Sequence, residues 1–140
     1  MTVRQFMNKN AVSLPASATL LEAARKMKEK NIGSMIIEEN LKVKGILTDR
    51  DIAFAVAAEG KNPSTTRVCD IMVHDPITVD VDADLDSALR IMNRANVRRL
   101  PVLENGKLCG VISSADIAGA MKEEINQFLA LEESYTGARG

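Results

Sequence analysis

"GILTDRD" (residues 45–51) ends an apolar run on a hydroxyl residue and places a carboxylate three positions later. Farther along, "GVISSAD" (110–116) does the same, keeping the glycine, a hydroxyl and the aspartate while the residues between them change. The two stretches are related by a shift of 65, and that shift aligns residues 3–59 with 68–124 without a gap, giving 17 identities in 57 positions. The identities include Val3/Val68, Met7/Met72, Leu20/Leu85, Met27/Met92, Asn31/Asn96, Gly45/Gly110 and Asp51/Asp116. The chain is therefore two copies of one supersecondary unit.

Each copy opens on a short β-branched stretch, "AVSL" (11–14) and "PITV" (76–79), which suits a strand. A helix follows. Thr19 and Glu22 fit a capping box, with Leu20, Ala23, Ala24 and Met27 on one face. In copy two Asp84 is a good N-cap, and Leu85, Ala88, Leu89 and Met92 repeat the face. Two strands come next: "SMIIE" (34–38) and "KVKGIL" (42–47), then in copy two "RLPVL" (99–103) and "KLCGVI" (107–112). The second pair turns at Asn105-Gly106, residues that tolerate the positive φ of a tight hairpin. A second helix begins at each junction, near Asp49 with Ile52, Ala53 and Val56 as its apolar face, and near Ser114 with Ile117, Ala120, Met121 and Ile125.

The expected fold is α/β (α+β): two tandem βαββα repeats packed through their sheets with pseudo-two-fold symmetry, since two small sheets can bury their apolar faces on each other. The expected units are 1–66, including the polar linker at 59–66, and 67–131. From Glu132 the helical apolar period is lost, so a polar tail over 132–140 is expected to fray at the surface.

Composition excludes several classes of function. With 18 basic and 19 acidic residues and a net charge of −1, the chain lacks the basic excess that nucleic acid or anionic lipid favours. Aromatic residues make up 3% with no Trp, which leaves no stacking platform for single strands. No apolar run approaches a membrane span and residues 1–15 hold no signal-peptide core, so no membrane and a cytoplasmic location are expected. His74 is the one imidazole, and Cys69 and Cys109 are isolated; a tetrahedral zinc site lacks ligands, and free, partly buried thiols are expected. With no Walker-type glycine loop, no metal cluster and no nucleophile paired with His, an enzyme is not expected. His74, in "MVHDP", reads as a solvated turn residue.

The junctions have two compatible readings. Thr48 and Ser113 stand where an N-cap stands, and Asp51 and Asp116 fall at N3, where an acid complements the helix dipole. A helix N-terminus also presents unpaired N–H groups and suits an anion. For a nucleotide, hydroxyl and amides hold phosphate while a carboxylate accepts from both ribose hydroxyls.

The repeated G-h-h-[ST]-x-x-D motif, "RRLPV" (98–102) before the last hairpin, and "FM" (6–7) or "IM" (71–72) before each first strand resemble tandem cystathionine β-synthase (CBS) domains, a Bateman module. The likeness covers about residues 1–128. It implies two equivalent clefts between the paired sheets, which in such pairs commonly take AMP, ADP, ATP or S-adenosylmethionine. It also implies that Asp51 or Asp116 holds ribose, that Thr48 or Ser113 helps hold phosphate, and that Ser13, Leu14, Thr78 and Val79, with Ile32 and Val97, form the adenine slot. Members of the family typically form homodimers.

Charge breaks the symmetry between the copies: Gly33-Ser34 stands opposite Arg98-Arg99, and Arg50 opposite Ala115. Arg50, in the first turn of a helix, works against the macrodipole; a phosphate or a salt bridge to Asp49 or Asp51 would account for it. Adjacent on an extended segment, Arg98 and Arg99 point to opposite faces. The resemblance favours Arg98 in the cleft, with Arg99 serving a neighbouring site or a dimer contact. The function expected is a sensor of adenine nucleotides (AMP/ADP/ATP) that passes a conformational change to a separate regulated protein. The alternatives are a structural homodimerisation module that binds no nucleotide, and a sensor of S-adenosylmethionine.

Overall fold

The computed structural model describes residues 1–139, with side chains described as far as Tyr135. The elements run α1 (Val3–Phe6), β1 (Ser13–Leu14), α2 (Leu20–Lys30), β2 (Ser34–Glu39), β3 (Lys42–Thr48) and α3 (Asp49–Ala53), which continues into a π-helical turn over Phe54–Ala58. After a 3-10 turn at Val68–Asp70 come β4 (Val73–His74), β5 (Val79–Asp80), α4 (Leu85–Ala95), β6 (Arg99–Glu104), β7 (Lys107–Ser113) and α5 (Ser114–Arg139). Each copy contains the expected βαββα order. The sheets are β1-β2-β3-β4 and β5-β6-β7, with β1 parallel to β2, β5 parallel to β6, and the hairpins antiparallel.

Helices α2 and α4 form for the same reasons. Leu20, Ala23 and Met27 are buried in one, and Leu85, Ala88 and Met92 in the other. Thr19 accepts from the Glu22 amide and Asp84 from the Ser87 amide, which lowers the Asp84 pKa. The reciprocal bond expected from the Glu22 side chain is not formed, so Thr19 caps alone. Asn31 and Asn96 end these helices in the left-handed conformation, at φ 55° and 54°, which asparagine tolerates and which accounts for their identity across the repeat.

The cores do not follow the sequence copies. Val3, from the start of copy one, is buried with Val79, Leu85, Leu100 and Ile112 of copy two. Val68 and Met72, from the start of copy two, are buried with Leu20, Met27, Ile37 and Leu47 of copy one. The exchange extends to the sheets: β4 pairs with β3 through Gly45↔His74 and Ile46↔Val73, and Asn8 bridges Val111. Arg4 ties its segment down at Glu104 (3.1 Å) and Asp82 (3.3 Å). The expected division at 66/67 thus separates the sequence copies, while each spatial unit borrows the other's opening segment. Nothing local in residues 1–8 or 66–74 announces this.

Gly45 and Gly110 are buried where these crossings occur. A Cβ at Gly45 would lie 2.3 Å from Met72 Sδ and 2.8 Å from the Val73 carbonyl oxygen. At Gly110 it would lie 2.7 Å from the Asn8 carbonyl oxygen and 2.9 Å from Met7 Sδ. The glycine of the repeated motif is there for the crossing segment.

Three details of the helices depart from the sequence reading. Ala53 is exposed, because the π-helical turn rotates the face so that Ala55 is buried beside half-buried Ile52 and Val56. Ile125 is 58% exposed, since the second unit ends near Met121 and leaves it nothing to pack on. The tail from Glu132 does not fray: α5 runs to Arg139, and Gly140 lies outside the described residues. Residues 132–139 read EESYTGAR and hold no proline, and the helix continues from Leu129-Ala130-Leu131 without an apolar face.

Both hairpins turn through two residues at positive φ: Asn105 (53°) and Gly106 (78°) as expected, and Asn40 (51°) with Leu41 (66°) in copy one. A side chain at φ 66° costs roughly 1–2 kcal/mol, and Leu41 is 48% exposed, so it recovers little by burial. Leu41→Gly should therefore raise stability by about 0.5–1 kcal/mol after the added flexibility of glycine in the unfolded chain is subtracted. Urea denaturation checks this; an unchanged or lower midpoint would mean that the turn is not strained. The cross-repeat bond from the Leu108 amide to the Leu41 carbonyl (2.7 Å) is backbone and survives the change.

Candidate functional site

At each junction the strand delivers a hydroxyl residue to a helix start, and a reciprocal capping box forms. Thr48 Oγ1 accepts from the Asp51 amide at 3.1 Å and Asp51 Oδ2 accepts from the Thr48 amide at 3.0 Å. Ser113 Oγ and Asp116 Oδ2 repeat this at 3.1 and 2.9 Å. The capping reading is thus met in both copies. It does not exhaust the groups: each hydroxyl still has its proton to donate, and each aspartate keeps one oxygen outside the box.

The two junctions open into one continuous cleft of about 1050 Å³ between the repeats, which joins the two clefts that the family resemblance implies. Thr48 and Arg50 from copy one line it, as do Ser113, Asp116, Arg98 and Arg99 from copy two. Ile32 and Val97 line it too, with Ile36, Ile46, Pro101 and Val111 supplying the apolar wall. Asp51 does not reach it and borders a smaller hollow with Phe54, Glu59, Lys61 and Asp70.

Four of the predicted slot residues lie outside the cleft. Leu14 packs on the copy-one core and Val79 is buried in the copy-two core. Ser13 and Leu14 pair with Ile36 and Ile37 in the sheet, and Thr78 is half-buried beside Val79. The cleft is lined instead by Asn10, Ala11 and Val12, just before the strand, because the strand itself is only two residues long. The Val12 carbonyl accepts from the Ile36 amide at 3.2 Å, which holds this segment extended along the wall. Sequence reasoning also missed Asp49, Gly33 and Ser34 as lining residues; the signal was available in their shift mates Ser114, Arg98 and Arg99.

The arginines divide three ways. Arg99 Nη1 donates to Ser34 Oγ at 2.7 Å, a bond between residues related by the repeat shift, so it holds the two copies together across the cleft. Arg50 lies with its guanidinium 5.0 Å from the centre of the Phe54 ring, a cation–π contact, and of the two readings of this residue the salt bridge to Asp49 or Asp51 is not formed. Among the described residues Arg98 makes no salt bridge and no side-chain hydrogen bond. It is the cation of the cleft that is not engaged within the fold.

Cys69 and Cys109 are free and half-buried, as expected, and burial pushes the Cys109 thiol up from its ordinary value. Among the described residues no three His, Cys, Asp or Glu side chains gather in metal-binding geometry, and no helix is long and apolar enough to cross a membrane.

The model of the CBS domain family matches the chain twice, over residues 3–58 and 68–123. Hypoxic response protein 1 of Mycobacterium tuberculosis is 34% identical over 130 residues, covering 91% of each chain. Its crystal structure, with two coordinated zinc ions, superposes with a TM-score of 0.78 over 84% of this chain and 97% of that one. The CBS domain pair of protein MJ0100, in complex with 5′-methylthioadenosine and S-adenosyl-L-methionine, is 25% identical with a TM-score of 0.77, covering 89% and 98%. The hexameric CBS-CP12 protein from bloom-forming cyanobacteria is 28% identical with a TM-score of 0.74, covering 100% and 84%.

Proposed function

This chain belongs to the CBS domain family, and on that premise we propose that it is a regulatory module whose inter-repeat cleft takes an adenine nucleotide. One observation carries the reading: an unengaged guanidinium (Arg98), a hydroxyl with a proton to give (Ser113) and a carboxylate with an oxygen to spare (Asp116) line one cleft beside an extended apolar wall. Arg98 and Ser113 suit phosphate, Asp116 suits ribose hydroxyls, and the Asn10–Val12 backbone with Ile32 suits a flat base. A charge-assisted hydrogen bond contributes roughly 1.5–3 kcal/mol, so three such groups reach a micromolar affinity, near −8 kcal/mol. Binding signals only if two conformations differ in affinity, and the output passes to a separate protein or through a homodimer.

A second reading, S-adenosylmethionine, draws on the likeness to the MJ0100 pair. The adenosine half is shared chemistry and the tail differs. An anionic phosphate uses Arg98 fully, whereas the tail of S-adenosylmethionine offers it one carboxylate beside a sulfonium and an ammonium that it repels. A third, an interaction module with no small ligand, draws on α5, which leaves Ile125, Phe128, Leu129 and Leu131 exposed.

A thermal-shift screen of AMP, ADP, ATP and S-adenosylmethionine separates them, because a ligand of the native state raises its stability by RT ln(1 + [L]/Kd). At one hundred times Kd the gain is about 2.7 kcal/mol. The nucleotides should shift the melting temperature. A shift with S-adenosylmethionine alone would favour the second reading, and no shift with any of the four would leave the interaction module.

A further inference from the structure

The two halves of the cleft share one backbone frame. The Asp49 amide donates to the Gly33 carbonyl at 3.0 Å, and the Ser114 amide donates to the Arg98 carbonyl at 2.8 Å. The side chains carried on that frame are opposite in charge. In the first half Asp49 Oδ1 accepts from the Arg50 amide at 2.8 Å. In the second the shift mate of Asp49 is Ser114, and among the described residues no side chain accepts from the Ala115 amide. Asp49 has thus placed a carboxylate on the backbone donor that its counterpart leaves open.

Gly33 and Asp49 are coupled by sterics. A Cβ on residue 33 would lie 3.2 Å from Asp49 Oδ2, so any side chain there would press on the carboxylate and shift it by a few tenths of an ångström. Arg50 makes no salt bridge to Asp49 among the described residues, and its guanidinium lies against Phe54. A phosphate entering this half would meet a like charge at close range on the cleft wall.

We infer that Asp49 is an anion on the cleft wall that closes the first half of the cleft to phosphate, so that the chain holds one adenine nucleotide, with its phosphate toward Arg98. The inference rests on the nucleotide reading of the cleft and adds to it a stoichiometry, an orientation and the residue that sets both.

Calorimetric titration with ADP tests it on the full chain and two variants. The native chain should bind one ADP. Ser114→Asp, which puts a carboxylate in the second half, should weaken binding at least tenfold while the ligand-free melting temperature stays level or rises, because an acid in the first turn favours the helix dipole. Gly33→Arg/Asp49→Ser, which replaces the first half's carboxylate with a guanidinium and a hydroxyl, should admit a second ADP through its phosphates, bound more weakly than the first because Asp51 stays outside the cleft. Two ADP per native chain, or Ser114→Asp with unchanged affinity, would overturn the role of Asp49 and leave the nucleotide reading standing. No heat with AMP, ADP or ATP in the native chain would overturn both.

Discussion

Gly45→Ala is expected to lower stability by about 3 kcal/mol, a fall of roughly 10 °C in melting temperature. The methyl group would enter a space already filled by Met72 Sδ at 2.3 Å and the Val73 carbonyl at 2.8 Å. The thioether is the middle of a flexible side chain and can swing aside, whereas the carbonyl belongs to β4 and cannot move without breaking the Ile46↔Val73 pairing. Adding Met72→Ala to Gly45→Ala should therefore recover only part of the loss. Gly110→Ala should behave alike for the same reason, with the Asn8 carbonyl at 2.7 Å as the fixed obstacle. Loss of less than about 1 kcal/mol in both, measured by urea denaturation, would mean that the crossing segments are looser than the distances indicate.

Asp116→Ala should weaken nucleotide binding by a factor of roughly 10–100, the worth of a charge-assisted bond to ribose. The substitution also removes a capping box, so lost stability alone would prove nothing, and the repeat supplies the control. Asp51 makes the same box with Thr48 but does not line the cleft. Asp51→Ala should cost similar stability and leave the affinity unchanged. Arg98→Ala completes the set: exposed and unengaged in the fold, it should change stability by less than about 0.5 kcal/mol and still weaken binding about tenfold or more. If melting temperatures fell equally with and without ligand across all three, the junctions would be helix caps and nothing more.

Much of this was legible in the sequence because the repeat made it so. Strand, helix and hairpin signals are local and weak one at a time, but a gap-free shift supplies each twice, and paired capping residues such as Thr48 and Ser113 then stand out. The repeat singled out the junction hydroxyls, Asp116 and the arginines, the family resemblance added Ile32 and Val97, and all of these line the cleft. What escaped depends on long-range placement. The exchange of opening segments leaves no local mark except the two glycines, whose fixed obstacle is a backbone carbonyl 28 residues away for Gly45 and 102 residues away for Gly110 (73 − 45 and 110 − 8). The cleft wall at Asn10–Val12 was misplaced by a few residues because β-branched content locates an extended segment but not the point where it joins a sheet. Asp49 was passed over because an acid beside a helix start already has an ordinary explanation. Its meaning came from comparison with Ser114 across the cleft.

The reciprocal exchange has a mechanical consequence. Two beads on a string can swing about their linker; two halves that each hold a segment of the other cannot separate without tearing β4 from β3 and Asn8 from Val111. Residues 59–67 join the copies in sequence, yet they are no pivot. The pair is clasped like interlaced fingers, and cutting the backbone within this stretch would release neither half.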